Sequence, residues 1–359
     1  MKKIFSLIAI CFLGLTGLAE HHEEDSHHEG HGEEKEFNAA AHAIHHALDA
    51  HEFHFTDGFV IPLPVILWTD NGLVMFSSSA FHHDDEGQHV VTEKGMSFVK
   101  YHETIYQLNP GETTGKFDHD THAILNGSKV WLDFSLTKNV TTIFLIAILL
   151  IWVFFRSAKK IKNAKPGEKR GIAAWTEPVI LFVRDVAKDN IEGDKYKKFT
   201  PYLLTVFFFI LFGNLLGLIP FLANPNVTGS ISITILLAMF TFGIQMINSK
   251  GPYWKHILAP PGVPVALYPI LIPIEIAGIF IKPAALLIRL FANITAGHII
   301  VVSLISIIFV NQSIAWAGLS VPFTLFISTL EILVAFLQAY IFTMLSALFI
   351  GMAVESAHH

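Results

Sequence analysis

The chain has 359 residues, of which 52% are hydrophobic and 15% charged, with a formal net charge of −6. Its mean hydropathy is +0.51. An ordinary soluble domain carries about 25% charged residues, so this composition excludes one and implies an integral membrane protein with a polar extension. The charge is unevenly placed. Beyond Lys198 the only acids are Glu275, Glu331 and Glu355, and the only Lys or Arg are Lys250, Lys255, Lys282 and Arg289. Sixteen of the twenty histidines fall between His21 and His122.

In chain order, Lys2 and Lys3 precede an apolar run over residues 4–18 that ends in Gly17-Leu18-Ala19. This is the pattern of a secretory signal peptide over residues 1–19, cleaved after Ala19. A run of about fifteen apolar residues is short for a spanning helix. Cys11, the single cysteine, lies inside that run, so a mature chain without disulfides or thiol chemistry is expected.

Residues 20–138 form the expected external, periplasmic region. Its first part, HHEEDSHHEGHGEEKE, is low complexity. A short helix over 38–51 would carry His42, His45, His46 and Asp49 on neighbouring turns. GFVIPLPVILW, a TDNG turn and LVMFSSSAF then read as two β-runs joined by an Asn-Gly type turn. Further β-runs are expected around Val90 and Val91 and over 97–107. Imidazoles suit zinc, copper or nickel and titrate near neutral pH. The histidines of residues 21–54 lack the fixed spacing of a defined site, so weak adventitious binding is expected, with no built metal site and no cofactor.

Residues 139–356 read as the membrane domain. A first span over 140–155 is followed by twelve Lys or Arg in residues 156–198. By the positive-inside rule that loop is cytoplasmic and the N-terminus lies outside. Residues 172–188 mix apolar and charged positions, as a helix lying on the membrane surface does. Residues 201–220 cross outward, and 231–248 cross back. The next apolar stretch, 264–310, would reach about 70 Å as a helix, against a hydrocarbon core near 30 Å. It is either a re-entrant piece plus a helix, or one long tilted helix interrupted by Pro269, Pro273 and Pro283. Residues 322–354 form a last long helix. The expected fold is therefore an all-α polytopic membrane protein of about five transmembrane helices. Two of these are long and tilted, a small external region holds β-strands, and the C-terminus is cytoplasmic. Two over-long helices in series imply a curved contact with another membrane protein.

Arg289 is the only charge in residues 283–310. A guanidinium keeps its proton on burial, and at a bilayer centre it costs about 2.5–3.5 kcal/mol. At about 100° per residue, Glu275 and Asn293 share its side of a continuous helix, while His298 lies about 180° round. Glu331 and Gln338, seven apart, share a face about 10 Å apart. A lone membrane Asn or Gln is commonly interhelical glue, which suits Asn293 and Gln338 as well as chemistry does. Glu331 and His298 are titratable and harder to explain as glue. Titratable groups on two facing helices plus one permanent cation describe a proton path with an electrostatic gate.

FGNLLGLIP (212–220), KPAALLIRLFANITAGHII (282–300) and LQAYIFTMLSALFIGMAVES (337–356) resemble subunit a of the F-type rotary ATP synthase, over roughly residues 136–356. The resemblance implies that Arg289 is the stator arginine facing the carboxylates of a rotating c-ring. It implies that Asn293 and Gln338 lie near it and that Glu275, His298 and Glu331 line aqueous half-channels. It further implies a non-catalytic subunit with c-ring subunits, peripheral-stalk subunit b, the rest of the complex and membrane lipid as partners. No nucleic acid is implied, and the location would be the inner membrane. His298 and Glu331 stand in the reverse of the common bacterial order, which resembles the mitochondrial arrangement. The rival reading, a metal-ion transporter with a His-rich external domain, has only Glu275, His298 and Glu331 to hold a cation that Arg289 would repel. An intramembrane hydrolase has no HExxH or Gly-x-Ser-x-Gly set here.

Overall fold

The computed structural model describes residues 49–56, 59–118, 121, 123–163, 171–219, 227–259, 263–311 and 313–355. The signal segment, the low-complexity stretch and most of the helix read over 38–51 lie outside the described residues. The chain divides into two units, one chiefly residues 50–137 and the other chiefly residues 138–218 and 225–359.

The first unit is built of strands. These are β1 (Glu52–Thr56), β2 (Phe59–Pro62), β3 (Pro64–Thr69), β4 (Gly72–Ser77), β5 (Val91–Glu93), β6 (Met96–Tyr101), β7 (Thr104–Leu108), β8 (Gly127–Lys129) and β9 (Leu132–Asp133). They form antiparallel sheets in the orders β1-β2, β4-β3-β9 and β5-β6-β7-β8. In β3 the period-2 rule holds: Val65, Leu67 and Thr69 are buried while Pro64 and Trp68 are exposed. Val65, Leu67 and Val74 meet Val91, Met96, Phe98 and Ile105 in one core. The expected TDNG turn is present, Thr69 pairing with Gly72, which takes φ 93. That left-handed conformation favours glycine.

The run expected over 97–107 is not one strand. It folds back at His102 and Glu103, with φ 45 and 60, to give the β6–β7 hairpin. Left-handed conformations are costly in residues with a side chain, and they persist where the surroundings over-determine them. Here the His102 and Glu103 amides donate to the Asp85 main-chain oxygen (3.1 Å) and Asp85 Oδ1 (2.8 Å). The Glu103 carboxylate accepts from the His51 amide at 3.1 Å and lies 3.4 Å from the buried Lys100 Nζ.

The second unit is helical: α1 (Lys138–Asn163), α2 (Ile172–Asn190), α3 (Tyr196–Gly217), α4 (Ile231–Asn248), α5 (Gly251–Leu258), α6 (Tyr268–Val310) and α7 (Ala317–Val354). Among the described residues five helices are long and apolar enough to cross a membrane: α1, α3 with its preceding turn, α4, α6 and α7. This is the expected all-α architecture with a small strand-bearing region. The open question over 264–310 is resolved as one continuous helix, with Pro273 and Pro283 inside it. The last helix starts at Ala317, five residues before Pro322. Pro322 lies inside the helix, so the Gly318 carbonyl goes without its ladder partner.

Packing explains the order of the helices. α2 buries Ala173, Thr176, Val183 and Ala187, a stripe at helical spacing. Val183 and Ala187 join Leu203, Phe207 and Ile210 of α3 and Phe342, Ala347 and Ile350 of α7. Polar side chains clip the bundle: Tyr202 OH lies 2.7 Å from Thr241 Oγ1, and Thr176 Oγ1 donates to Ser157 Oγ at 2.8 Å. At the end of α7 the Val354 carbonyl accepts from Lys195 Nζ and the Ala353 carbonyl from the Lys250 amide, both at 3.0 Å. These bonds satisfy helix-end acceptors that have no partner within the helix.

Candidate functional site

The polar residues of the last two helices are arranged by simple packing. Leu286 and Leu290 of α6, one turn apart, are fully buried and pack with Ala339 and Phe342 of α7 in the same core. One turn beyond Leu290, Asn293 Nδ2 donates to Gln338 Oε1 at 3.0 Å. Gln338 is 1% exposed, and its Nε2 has no hydrogen-bond partner among the described residues. One further turn along α6, Gly297 lies against Glu331; a Cβ at 297 would collide with the Glu331 carboxylate. The pairings 293 with 338 and 297 with 331 run in opposite directions, so the two helices are antiparallel. The structure thus brings Asn293, Gln338 and Glu331 onto one seam. Gly297 belongs to that seam and was missed in the sequence, because a residue without a side chain announces no chemistry. His298 follows it in α6, and its side chain lies outside the described residues.

Arg289 is placed differently. From it, Asn293 and Gly297 lie about 40° and 80° round the helix, toward α7. Arg289 itself is exposed, as are Ala285, Ala292 and Ala296 beside it, one turn apart. It has no hydrogen bond or ion pair among the described residues. Small neighbours let another helix come close to such a guanidinium.

Glu275 is half-buried near the other end of α6. Its neighbour is Tyr253 of α5, whose hydroxyl accepts from Gln245 Nε2 at 3.0 Å. Burial, chiefly, raises the Tyr253 pKa; the Gln245 bond lowers it, and the charge of Glu275 raises it again. Tyr253 and Gln245 were also missed, although Gln245, a buried amide inside the apolar α4, carried the same signal as Gln338. Glu275 is not brought to Glu331. Twenty-two residues of helix separate it from Gly297, about 33 Å of rise, with Arg289 in between.

One family model, described as ATP synthase A chain, matches residues 140–351. A second, described as a domain of unknown function, matches residues 42–134. ATP synthase subunit a of Chlorobium phaeobacteroides (strain BS1) is 51% identical over 235 residues, 63% of this chain and 67% of that protein. The Chloroherpeton thalassium protein of the same name is 44% identical over 257 residues, covering 68% of this chain and 75% of its own length. ATP synthase subunit a 2 of Prosthecochloris aestuarii is 42% identical over 322 residues, 85% of this chain and 95% of that one. The chain belongs to the ATP synthase subunit a family.

The subunit a family is the proton-channel stator of the ATP synthase membrane sector, so this member is a membrane component of that complex. The metal-transporter reading finds no support. The family model's span lies within the stretch read by resemblance, 136–356. An alignment of 322 residues cannot fit within the helices alone, so the Prosthecochloris relative also matches part of the strand-bearing region.

Proposed function

We propose that this chain holds Arg289 against the carboxylates of a rotating c-ring and delivers protons to them through two half-channels. The observation that carries this reading is the setting of Arg289. It stands exposed and unpaired among the described residues, with Ala285, Ala292 and Ala296 exposed beside it. A permanent cation facing lipid would be costly, so its counter-charge comes from another subunit.

The mechanism follows from charge and solvent. A ring carboxylate facing lipid carries its proton, because an ionised carboxylate there is costly. Beside Arg289 the ionised form is stabilised, so the proton leaves into one half-channel. The ring then advances, and the carboxylate takes a proton from the other half-channel. Glu275 with Tyr253 lines one path; Glu331 and His298 line the other. Asn293 and Gln338 hold the seam next to the arginine. The fixed cation between the paths also bars a direct leak. A membrane potential contributes about 2.3 kcal/mol per proton per 100 mV. ATP chemistry lies in other subunits, and this one is not an enzyme. Peripheral-stalk subunit b is a further partner. The inner membrane is the site, with the N-terminal region periplasmic and the C-terminus cytoplasmic. Residues 1–19 are the signal, 20–138 the external region and 139–356 the channel domain.

Cysteine cross-linking in the assembled complex tests this reading. Ala292→Cys, one turn from Arg289, is expected to form a disulfide with a cysteine placed beside the ring carboxylate and to stop proton-driven synthesis. Ile279→Cys, buried on another face, is expected to form none. Cross-linking at 279 but not at 292 would contradict the proposed contact.

A further inference from the structure

α1 ends in a group of cations that the chain does not neutralise. Arg156, Lys159, Lys160 and Lys162 occupy its last two turns, and the helix holds no Asp or Glu from Lys138 to Asn163. All four are exposed, and none has an ion pair among the described residues. Arg184, Lys195, Lys197 and Lys198 differ. Arg184 lies 2.7 Å from Asp185, Lys195 3.0 Å from Glu192 and Lys197 2.7 Å from Asp194. Lys198 donates to Asn248 Oδ1 at 2.8 Å. What neutralises the α1 group lies outside the chain.

The depth of the group identifies the partner. α1 is long and apolar enough to cross a membrane, and Phe144, Leu145, Ile148, Ile151 and Trp152 are exposed along it. Residues 140–155 rise about 24 Å, close to the hydrocarbon core of about 30 Å, so the next two turns emerge among the headgroups. Two tryptophans mark the same level. Trp152 lies under Arg156, whose guanidinium carbon is 5.1 Å from the ring centroid. Trp175 of α2 is 84% exposed, and it adjoins Thr176, whose hydroxyl donates to Ser157, the residue after Arg156. Indoles prefer the bilayer interface, and each Lys or Arg beside a membrane span is attracted to anionic lipid by about 1 kcal/mol.

We propose that the end of α1 is a binding surface for anionic phospholipid. Arg156, Lys159, Lys160 and Lys162 meet the headgroup phosphates, and Trp152 and Trp175 meet the adjoining ends of the acyl chains. The surface needs only the insertion of α1 and stands independently of the proposed role of Arg289.

Headgroup-selective quenching tests the proposal. The full chain is reconstituted in phosphatidylcholine vesicles that carry, as a minor component, brominated phosphatidylglycerol or, in a matched set, brominated phosphatidylcholine. Subtracting the emission of a Trp175→Phe variant isolates that indole. At equal content, the phosphatidylglycerol is expected to quench it severalfold more than the phosphatidylcholine. Most of that excess should disappear in high salt and in a variant carrying Lys159→Gln, Lys160→Gln and Lys162→Gln together. Lys197→Gln, which removes a cation already paired with Asp194, should leave the excess in place. Equal quenching by the two lipids would show no headgroup preference and overturn the proposal. Resistance to both would show a protein cover, and an excess that survives the triple variant would place the preference elsewhere; either result overturns it equally.

Discussion

Gly297 lets the Glu331 carboxylate lie directly against α6, where a side chain would stand in its way. Gly297→Ala should push the carboxylate off the seam without adding or removing a charge. The carboxylate is the far end of a flexible side chain, so it gives way to the added methyl at little cost in stability. Proton-driven ATP synthesis by the assembled complex should fall severalfold; an unchanged rate would show that the close approach is irrelevant to transport. The Asn293–Gln338 bond is a different kind of contact. Interhelical hydrogen bonds of this type average about 0.6 kcal/mol in membrane proteins. A double-mutant cycle of Asn293→Ala and Gln338→Ala on thermal stability should return a coupling of that size. Zero coupling would indicate that the pair does not form. Arg289, Asn293, Gln338 and Glu331 were legible in the sequence because a polar residue in a long apolar helix stands out. Their angular relation follows from 100° per residue. Gly297 and Tyr253 were not, since their importance comes only from which neighbour they meet.

Among the elements, the β6–β7 hairpin is the one whose form the sequence hides. Asn71-Gly72 announces its turn, but His102-Glu103 has no glycine or asparagine to do so. Asp85 and His51 from outside the hairpin, with Lys100 of β6, hold the conformation. Burial alone would raise the Glu103 carboxyl, but the His51 hydrogen bond and the Lys100 charge outweigh it and hold it below its ordinary 4.5. A carboxyl lowered in the folded state stabilises it fully above the ordinary value and loses that contribution as the pH falls through the lowered one. The hydrogen-exchange protection factors of the β6 and β7 amides in the intact complex should therefore be insensitive to Glu103 titration near neutral pH and fall below about pH 4.5. Glu103→Gln should remove most of that acid dependence; its persistence would place the sensitivity elsewhere. At the other end of the chain, Gly351 lies against the Asn190 carbonyl. Gly351→Ala must drive α7 from the end of α2, lowering the stability of the helical unit by about 1–3 kcal/mol in thermal unfolding.

For the whole molecule, the decisive proportion is length. α6 has 43 residues and α7 has 38, about 64 and 57 Å of helix against a hydrocarbon core near 30 Å. Helices of that length cannot stand upright in a bilayer, and a strongly inclined pair presents a long flank to a neighbour. The span count and this excess length were legible because apolar runs and bilayer thickness leave few alternatives. The continuity of α6 was not, since prolines break some helices and only kink others. The central claim is that the cation on this flank is half of a moving ion pair. Its most direct test is ATP synthesis driven by an imposed proton gradient in vesicles holding the complex with Arg289→Ala. The account predicts an assembled complex, ring included, with no synthesis. Normal synthesis from that complex would contradict it.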